Sequence, residues 1–201
     1  MKNMVLSWLR ENEPSSDLIK VVSSMDRVDW YAISVYQELS ESFIREFKNK
    51  VVWKQISSCQ ILSESFIREF EDRVDWYWIS WYQKLSESFI REFEDRLDWL
   101  WISGSQKLSE SFIREFEDRV NWNYISMNQK LSESFIREFE DRVNWNSISK
   151  CQDISEKFAN EFKSKIDWKS YTKARNARVK KVLEDFVKFE RQISRRCRKR
   201  K

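Results

Sequence analysis

The chain contains no histidine, one glycine (Gly104) and one proline (Pro14) in 201 residues. Average proteins carry about 7% glycine and about 5% proline. Two-residue β-hairpin turns need residues that accept positive φ. So few breakers leave almost no way to fold a strand meander, and helices joined by short capped turns are the economical reading. The missing histidine joins other absences: no glycine-rich phosphate loop and no activated serine or cysteine motif. The chain is therefore expected to be no enzyme and to need no cofactor or metal. The three cysteines, Cys59, Cys151 and Cys197, are odd in number and lack metal-ligand spacing. That argues against a disulfide framework and for a reducing intracellular compartment, the cytoplasm or nucleus. Residues Met1 to Arg10 lack the apolar run of a signal peptide. No stretch reaches the ~18 apolar residues of a membrane span, so no membrane partner is expected.

Aromatic residues and charge are abundant, with 11 Trp, 14 Phe and 35% Asp, Glu, Lys and Arg. Mixed signs with many aromatics argue against disorder. The net charge of +4 hides an asymmetry: residues 173–201 hold 13 Lys/Arg and 3 Asp/Glu, a net +10, which leaves −6 on residues 1–172.

Tryptophan returns at 30, 53, 76, 99, 122, 145 and 168, a period of 23 residues. The segment Leu-Ser-Glu-Ser-Phe-Ile-Arg-Glu-Phe begins at 39, 62, 85, 108 and 131 without a change, and a weaker copy runs from Ile154 to Phe162. Each unit carries two helix starts. Asp75 sits where an N-cap belongs, with Val74 before it and Ile79 after it, and Ser86 does the same between Leu85 and Ile90. The spacing predicts a short helix A over 76–84 and a longer helix B over 87–96. Trp76 and Ile79 fall on one face of helix A, and Phe89, Ile90 and Phe93 on one face of helix B; all five are expected in the core.

A single long helix is excluded. At about 100° per residue each 23-residue step would turn the aromatic stripe about 140° beyond whole turns, so it would spiral. The period matches neither a coiled-coil heptad nor an 11-residue repeat, and leucine-rich strand chemistry is absent. Since one hairpin cannot bury five large apolar groups, neighbours must stack. The expected fold is all-α: an elongated, curved α-solenoid of about seven two-helix hairpins with a longer C-terminal helix. The boundaries read as a degenerate N-terminal capping repeat over 1–28, containing Trp8 and Pro14, tandem repeats over 29–167, a capping helix over 168–194 and a basic tail over 195–201. Val179, Val182, Leu183, Phe186, Phe189 and Ile193 mark that last helix as amphipathic.

Helix B barely varies among the copies, whereas helix A differs at offsets +1, +2, +5 and +6 from its tryptophan. Offsets +1/+5 and +2/+6 are i,i+4 pairs and share one face. Stacking would align them into a ladder, a recognition surface on a constant scaffold. The candidate partner-binding residues on it are Tyr31, Tyr36, Lys54, Gln55, Tyr77, Trp78, Trp81, Tyr82, Trp101, Asn123, Tyr124, Met127, Asn128, Asn146 and Lys150. The plainer reading is loose constraint at exposed positions. The concentration of aromatics at 77, 78, 81 and 82 favours binding, although these rings can also pack between repeats. A second candidate is the tail, where Arg195, Arg196, Arg198, Lys199, Arg200 and Lys201 suit phosphate backbones or nuclear import. The carboxylates fall into i,i+4 pairs, Glu64/Arg68, Arg68/Asp72 and Glu69/Arg73, which read as surface ion pairs and not as acid–base machinery.

The frame Asp-Trp-x-x-Ile-Ser-x-x-Gln-x-Leu-Ser-Glu-x-Phe-Ile-x-Glu-Phe, as it stands from Asp75, resembles tandem 23-residue repeats in uncharacterised proteins of large DNA viruses infecting protists. The likeness covers about 29–168. It implies a viral origin and a duplicating repeat family, and it implies no activity. Three functions are consistent with these features: a non-catalytic scaffold for a host or viral protein, a nucleic-acid-binding protein using the tail with the aromatic ladder, and a structural component of a virus particle.

Overall fold

A computed structural model describes residues 22–23 and 28–198, with side chains described as far as Phe189. Most of the expected capping copy at 1–28, including Trp8 and Pro14, lies outside the described residues, as do Lys199, Arg200 and Lys201. The described residues are helical and carry no strand. The chain divides into two compact units, 1–106 and 107–201, at a connection inside the repeat array.

The first unit holds α1 (Trp30–Tyr36), α2 (Glu41–Glu46), α3 (Trp53–Cys59), α4 (Glu64–Glu69), α5 (Trp76–Tyr82), α6 (Glu87–Glu92) and α7 (Trp99–Ser105). Within it, the A helices pack in order, α1 on α3, α3 on α5 and α5 on α7. The second unit holds α8 (Glu110–Glu115), α9 (Trp122–Asn128), α10 (Glu133–Glu138), α11 (Trp145–Cys151), α12 (Glu156–Glu161) and α13 (Trp168–Arg198). There α9 packs on α11 and α11 on α13. Helix pairs thus recur every 23 residues and stack, the α-solenoid arrangement, with a longer helix at the end.

Each helix starts where its cap is. The Asp75 carboxylate accepts from Trp78 N at 3.4 Å and the Ser86 hydroxyl from Phe89 N at 3.2 Å, satisfying amides that have no helical partner. Val52 stands at the same place before α3 and gives no side-chain cap. Both helices are shorter than the spacing predicts. Helix A stops at Tyr82 because Gln83 is extended (φ −81°, ψ 149°). Helix B stops at Glu92, and a turn over 93–96 follows, closed by Arg96 N on Phe93 O at 2.9 Å. The turn frees the Glu94 carbonyl, which accepts the indole N–H of Trp99 at 2.9 Å.

Ile79, Phe89 and Ile90 are fully buried, with Val74, Leu85, Phe93 and Leu97 around them. The tryptophans differ from expectation. Trp76 is half-buried, its ring 4.9 Å from that of Phe93, and Trp168 is exposed. The indole carries an N–H that needs an acceptor. In Trp76 that acceptor is Glu71 O at 3.0 Å, on the outer turn, so the ring lies as a lid over the phenylalanines and not among them.

Two polar side chains lie deeper than the tryptophans. Ser80 is fully buried and Gln83 nearly so, and the same residues recur in each of the six copies from Ser34 and Gln37 onward. The Ser80 hydroxyl donates to Trp76 O at 2.7 Å and accepts from Asp98 N of the next repeat at 2.9 Å. The Gln83 amide donates to Ser57 O at 3.0 Å and Gln60 O at 2.8 Å of the preceding repeat, and its oxygen accepts from Leu62 N at 3.0 Å. In the second unit Gln152 does the same toward Ser126, Gln129 and Leu131. Buried polar groups require partners, and within each unit these are supplied by the adjacent repeat; Gln37, in the first described copy, has no partner for its Nε2 among the described residues.

The series ends in α13, which carries Tyr171, Thr172 and Arg175 where the copies have Ile, Ser and Gln. Tyr171 is buried in the isoleucine place. About one helical turn beyond Arg175, Arg178 donates to Gln152 O at 2.5 Å and to the Asp153 carboxylate at 2.9 Å, taking the carbonyl that a further glutamine would occupy.

Candidate interaction face

The pattern of exposure along helix A follows the sequence offsets. In all six copies the +1 and +6 residues are exposed and the +2 residue is half-buried, while the +5 residue is half-buried in the first four copies and exposed in the last two. The buried Ile and Ser on the opposite side fix this rotation, which is the same in α3, where Val52 gives no side-chain cap. The positions where copies differ are therefore the positions that face outward.

In the first unit the face is aromatic and charged. Tyr31 and Tyr36 on α1 are exposed, and so is Lys54 on α3, with Gln55 half-buried beside it. On α5 and α7 five rings form one cluster. Trp78 and Trp81 are parallel at 5.5 Å and 8°, and Trp81 and Tyr82 at 4.9 Å and 17°. Trp81 meets Trp101 of the next repeat face to face, 3.7 Å between centroids and 6° between planes. Tyr77 stands at right angles to Trp78, Trp81 and Trp101, at 5.0, 6.0 and 5.9 Å. Trp81 and Trp101 pack between repeats, whereas Tyr77 and Tyr82 stay 42% and 52% exposed. Stacking locks the rings in one arrangement. Trp101 Nε1 is buried beneath the cluster with no acceptor among the described residues.

In the second unit the face is polar. Asn123, Met127 and Asn128 on α9 and Asn146 and Lys150 on α11 are exposed, with Tyr124 half-buried. The Asn123 oxygen accepts from Asn144 Nδ2, an N-cap of the following repeat, at 2.7 Å. The tail residues Arg195, Arg196 and Arg198 belong to α13 by their backbone, and their side chains lie outside the description.

The B helices carry a second series that the i,i+4 reading missed. Arg68 does pair with Glu64, at 3.7 Å, but its shorter contact is with Glu92 of the next repeat at 2.8 Å. Arg45 likewise reaches Glu69 at 2.7 Å, and in the second unit Arg114 reaches Glu138 and Arg137 reaches Glu161, each at 2.7 Å. Glu69 is thereby engaged with Arg45, and Arg73 donates instead to Lys48 O at 2.9 Å and Asn49 at 3.0 Å, because helix B has ended before the predicted Glu69/Arg73 and Arg68/Asp72 pairs are in register. Hydrogen bonds from the arginines hold the Glu138 and Glu161 carboxyls below the ordinary glutamate value. These pairs are solvent-exposed, so each contributes little. The first glutamates of α4 and α8 also reach across: Glu64 accepts from Ser86 N at 2.6 Å and Glu110 from Ser132 N at 2.6 Å.

Among the described residues no group of His, Cys, Asp and Glu is placed to hold a metal ion, and no helix is long and apolar enough to cross a membrane. Comparison with protein-family models, curated proteins and solved structures gives no match.

Proposed function

We propose that the protein is a non-catalytic helical-repeat scaffold that recognises another protein through the variable face of its A helices. The observation that carries this reading is the ring cluster of Tyr77, Trp78, Trp81, Tyr82 and Trp101: large aromatic side chains gathered at the positions the copies leave free to differ, where folding alone asks for none. Rigid aromatics at the centre of a patch are the residue types that dominate protein–protein hot spots. The same geometry supports a protein partner over nucleic-acid bases stacking on the ladder. Trp81 and Trp101 already occupy one face of each other, and residues 1–172 are acidic. The likeness of the repeat to those of large DNA viruses points to a host factor or a particle component as the partner.

The test is capture of partners by tagged wild-type chain and by the W78A/W81A double variant, compared by mass spectrometry. The expected result is loss of specific partners from the variant while its far-ultraviolet circular dichroism stays helical. Retention of the same partners by a folded variant would remove this face from consideration. Retention that instead falls steeply with salt, and vanishes on removal of 195–201, would transfer recognition to the tail.

A further inference from the structure

Helix α13 leaves the array partway along its length. Tyr171 is buried, and Arg175 and Arg178 are tied to Glu156 and to Gln152 and Asp153. From residue 179 onward every described side chain is exposed. These include Val179, Val182, Leu183, Phe186, Val187 and Phe189, six large apolar side chains in eleven residues, between 42% and 67% exposed. At 3.6 residues per turn positions 179, 182, 183, 186 and 189 share one face, while Lys180, Lys181, Glu184 and Lys188 fall on the other. The helix therefore carries an apolar stripe that nothing in the described chain covers, and isolated surface residues do not make such a stripe.

Charge decides what covers it. The segment 173–201 carries +10, with seven Lys/Arg in its last eleven residues. A second copy pairing stripe to stripe in parallel would set these seven charges beside the same seven. Pairing antiparallel would set them beside Lys173, Arg175 and Arg178. Neither orientation offsets the tail, since Glu184, Asp185 and Glu190 are the three acidic residues of 173–201, and Lys180 and Lys188 already pair with the first two. A nucleic acid would meet the charge and leave the stripe in water. An anionic surface with an apolar interior meets both. It also lets the arc of Lys180, Lys181, Glu184 and Lys188 remain in water, as a helix lying in the plane of a bilayer does. We propose that α13, from Val179 onward, is a membrane-surface helix that docks the scaffold on anionic lipid, with the apolar stripe in the headgroup–acyl boundary and the basic tail on the headgroups. Such docking lies in the plane of the bilayer and needs no spanning segment.

The experiment is co-sedimentation of the full chain with vesicles of a neutral phospholipid, with and without about one third anionic lipid, alongside the F186D/F189D variant. Both phenylalanines are more than half exposed, so the variant is expected to match wild-type circular dichroism and thermal unfolding. Binding is expected on anionic vesicles, little on neutral ones, and about tenfold or more weaker for the variant. Equal binding of the variant would reduce the contact to tail electrostatics and overturn the proposal. Absence of vesicle binding would overturn it too, and a dimer dissolved by F186D/F189D would then identify a second copy as the occupant. The W78A/W81A face is untouched in this comparison, so either proposal can fail without the other.

Discussion

At the scale of single residues, Gln83 ties its repeat to the one before it by hydrogen bonds. It satisfies two buried carbonyls and one buried amide of the preceding repeat. Replacing it by alanine leaves those groups without partners at about 1–3 kcal/mol each, with partial relief by relaxation. Q83A should therefore lose about 3 kcal/mol or more in urea unfolding, whereas Q55A on the variable face should stay within about 0.5 kcal/mol. Equal effects would mean that the buried amide contributes nothing specific. The invariance of Gln and Ser was visible in the sequence. Their role was not, because periodicity marks a position as inward without saying whether it packs or bonds. The tryptophans were misjudged for a related reason. Their period fits a core position, and only the need of the indole N–H for an outer carbonyl holds the ring at the rim.

At the scale of elements, the sequence shows the helix starts well and the helix ends poorly. Caps are local: Asp75 and Ser86 act within three residues, and the aligned copies display them. The ends depend on neighbours, since Gln83 turns extended to reach the repeat before it and Glu94 gives its carbonyl to the tryptophan after it. The arginine–glutamate series had the same ambiguity. In a 23-residue repeat Glu69 is four residues before Arg73 and also 24 after Arg45, and spacing alone does not choose. Of the four offsets of helix A, by contrast, +1 and +6 were legible as exposed, because i,i+4 geometry holds for any helix with a fixed buried face, whereas +2 lies half-buried in all six copies and +5 in the first four. One element breaks its own rule. Helix α3 begins after Val52, which offers no side-chain acceptor, although Val52 N still bonds Ser34 Oγ at 3.1 Å as in the other copies. V52D should restore the missing cap and raise stability by about 1 kcal/mol, a rise of about 2–4 °C in Tm. No change, or a loss, would show that the caps of the other copies are not what sets their A helices.

At the scale of the whole molecule, constancy and variation are divided between faces. Phe, Ile, Ser, Gln and the Arg/Glu series recur because each repeat is the partner of the next, so a change in one disturbs two. The outward offsets of helix A touch a neighbour only in places, as Trp81 does on Trp101 and Asn123 on Asn144, and carry no part of the buried Ser and Gln network, which leaves them freer to carry recognition. That division is the central claim, and exchanging one copy's outward residues for another's tests it most directly. Replacing Tyr77, Trp78, Trp81 and Tyr82 by the Asn, Tyr, Met and Asn that stand at the same offsets on α9 keeps every residue of the buried network. The account predicts a folded chain, destabilised by no more than the loss of the Trp81–Trp101 stack, about 0.5–1.5 kcal/mol beyond the lost burial, and a changed set of captured proteins. An unchanged set of partners, or a chain that no longer folds, would contradict it.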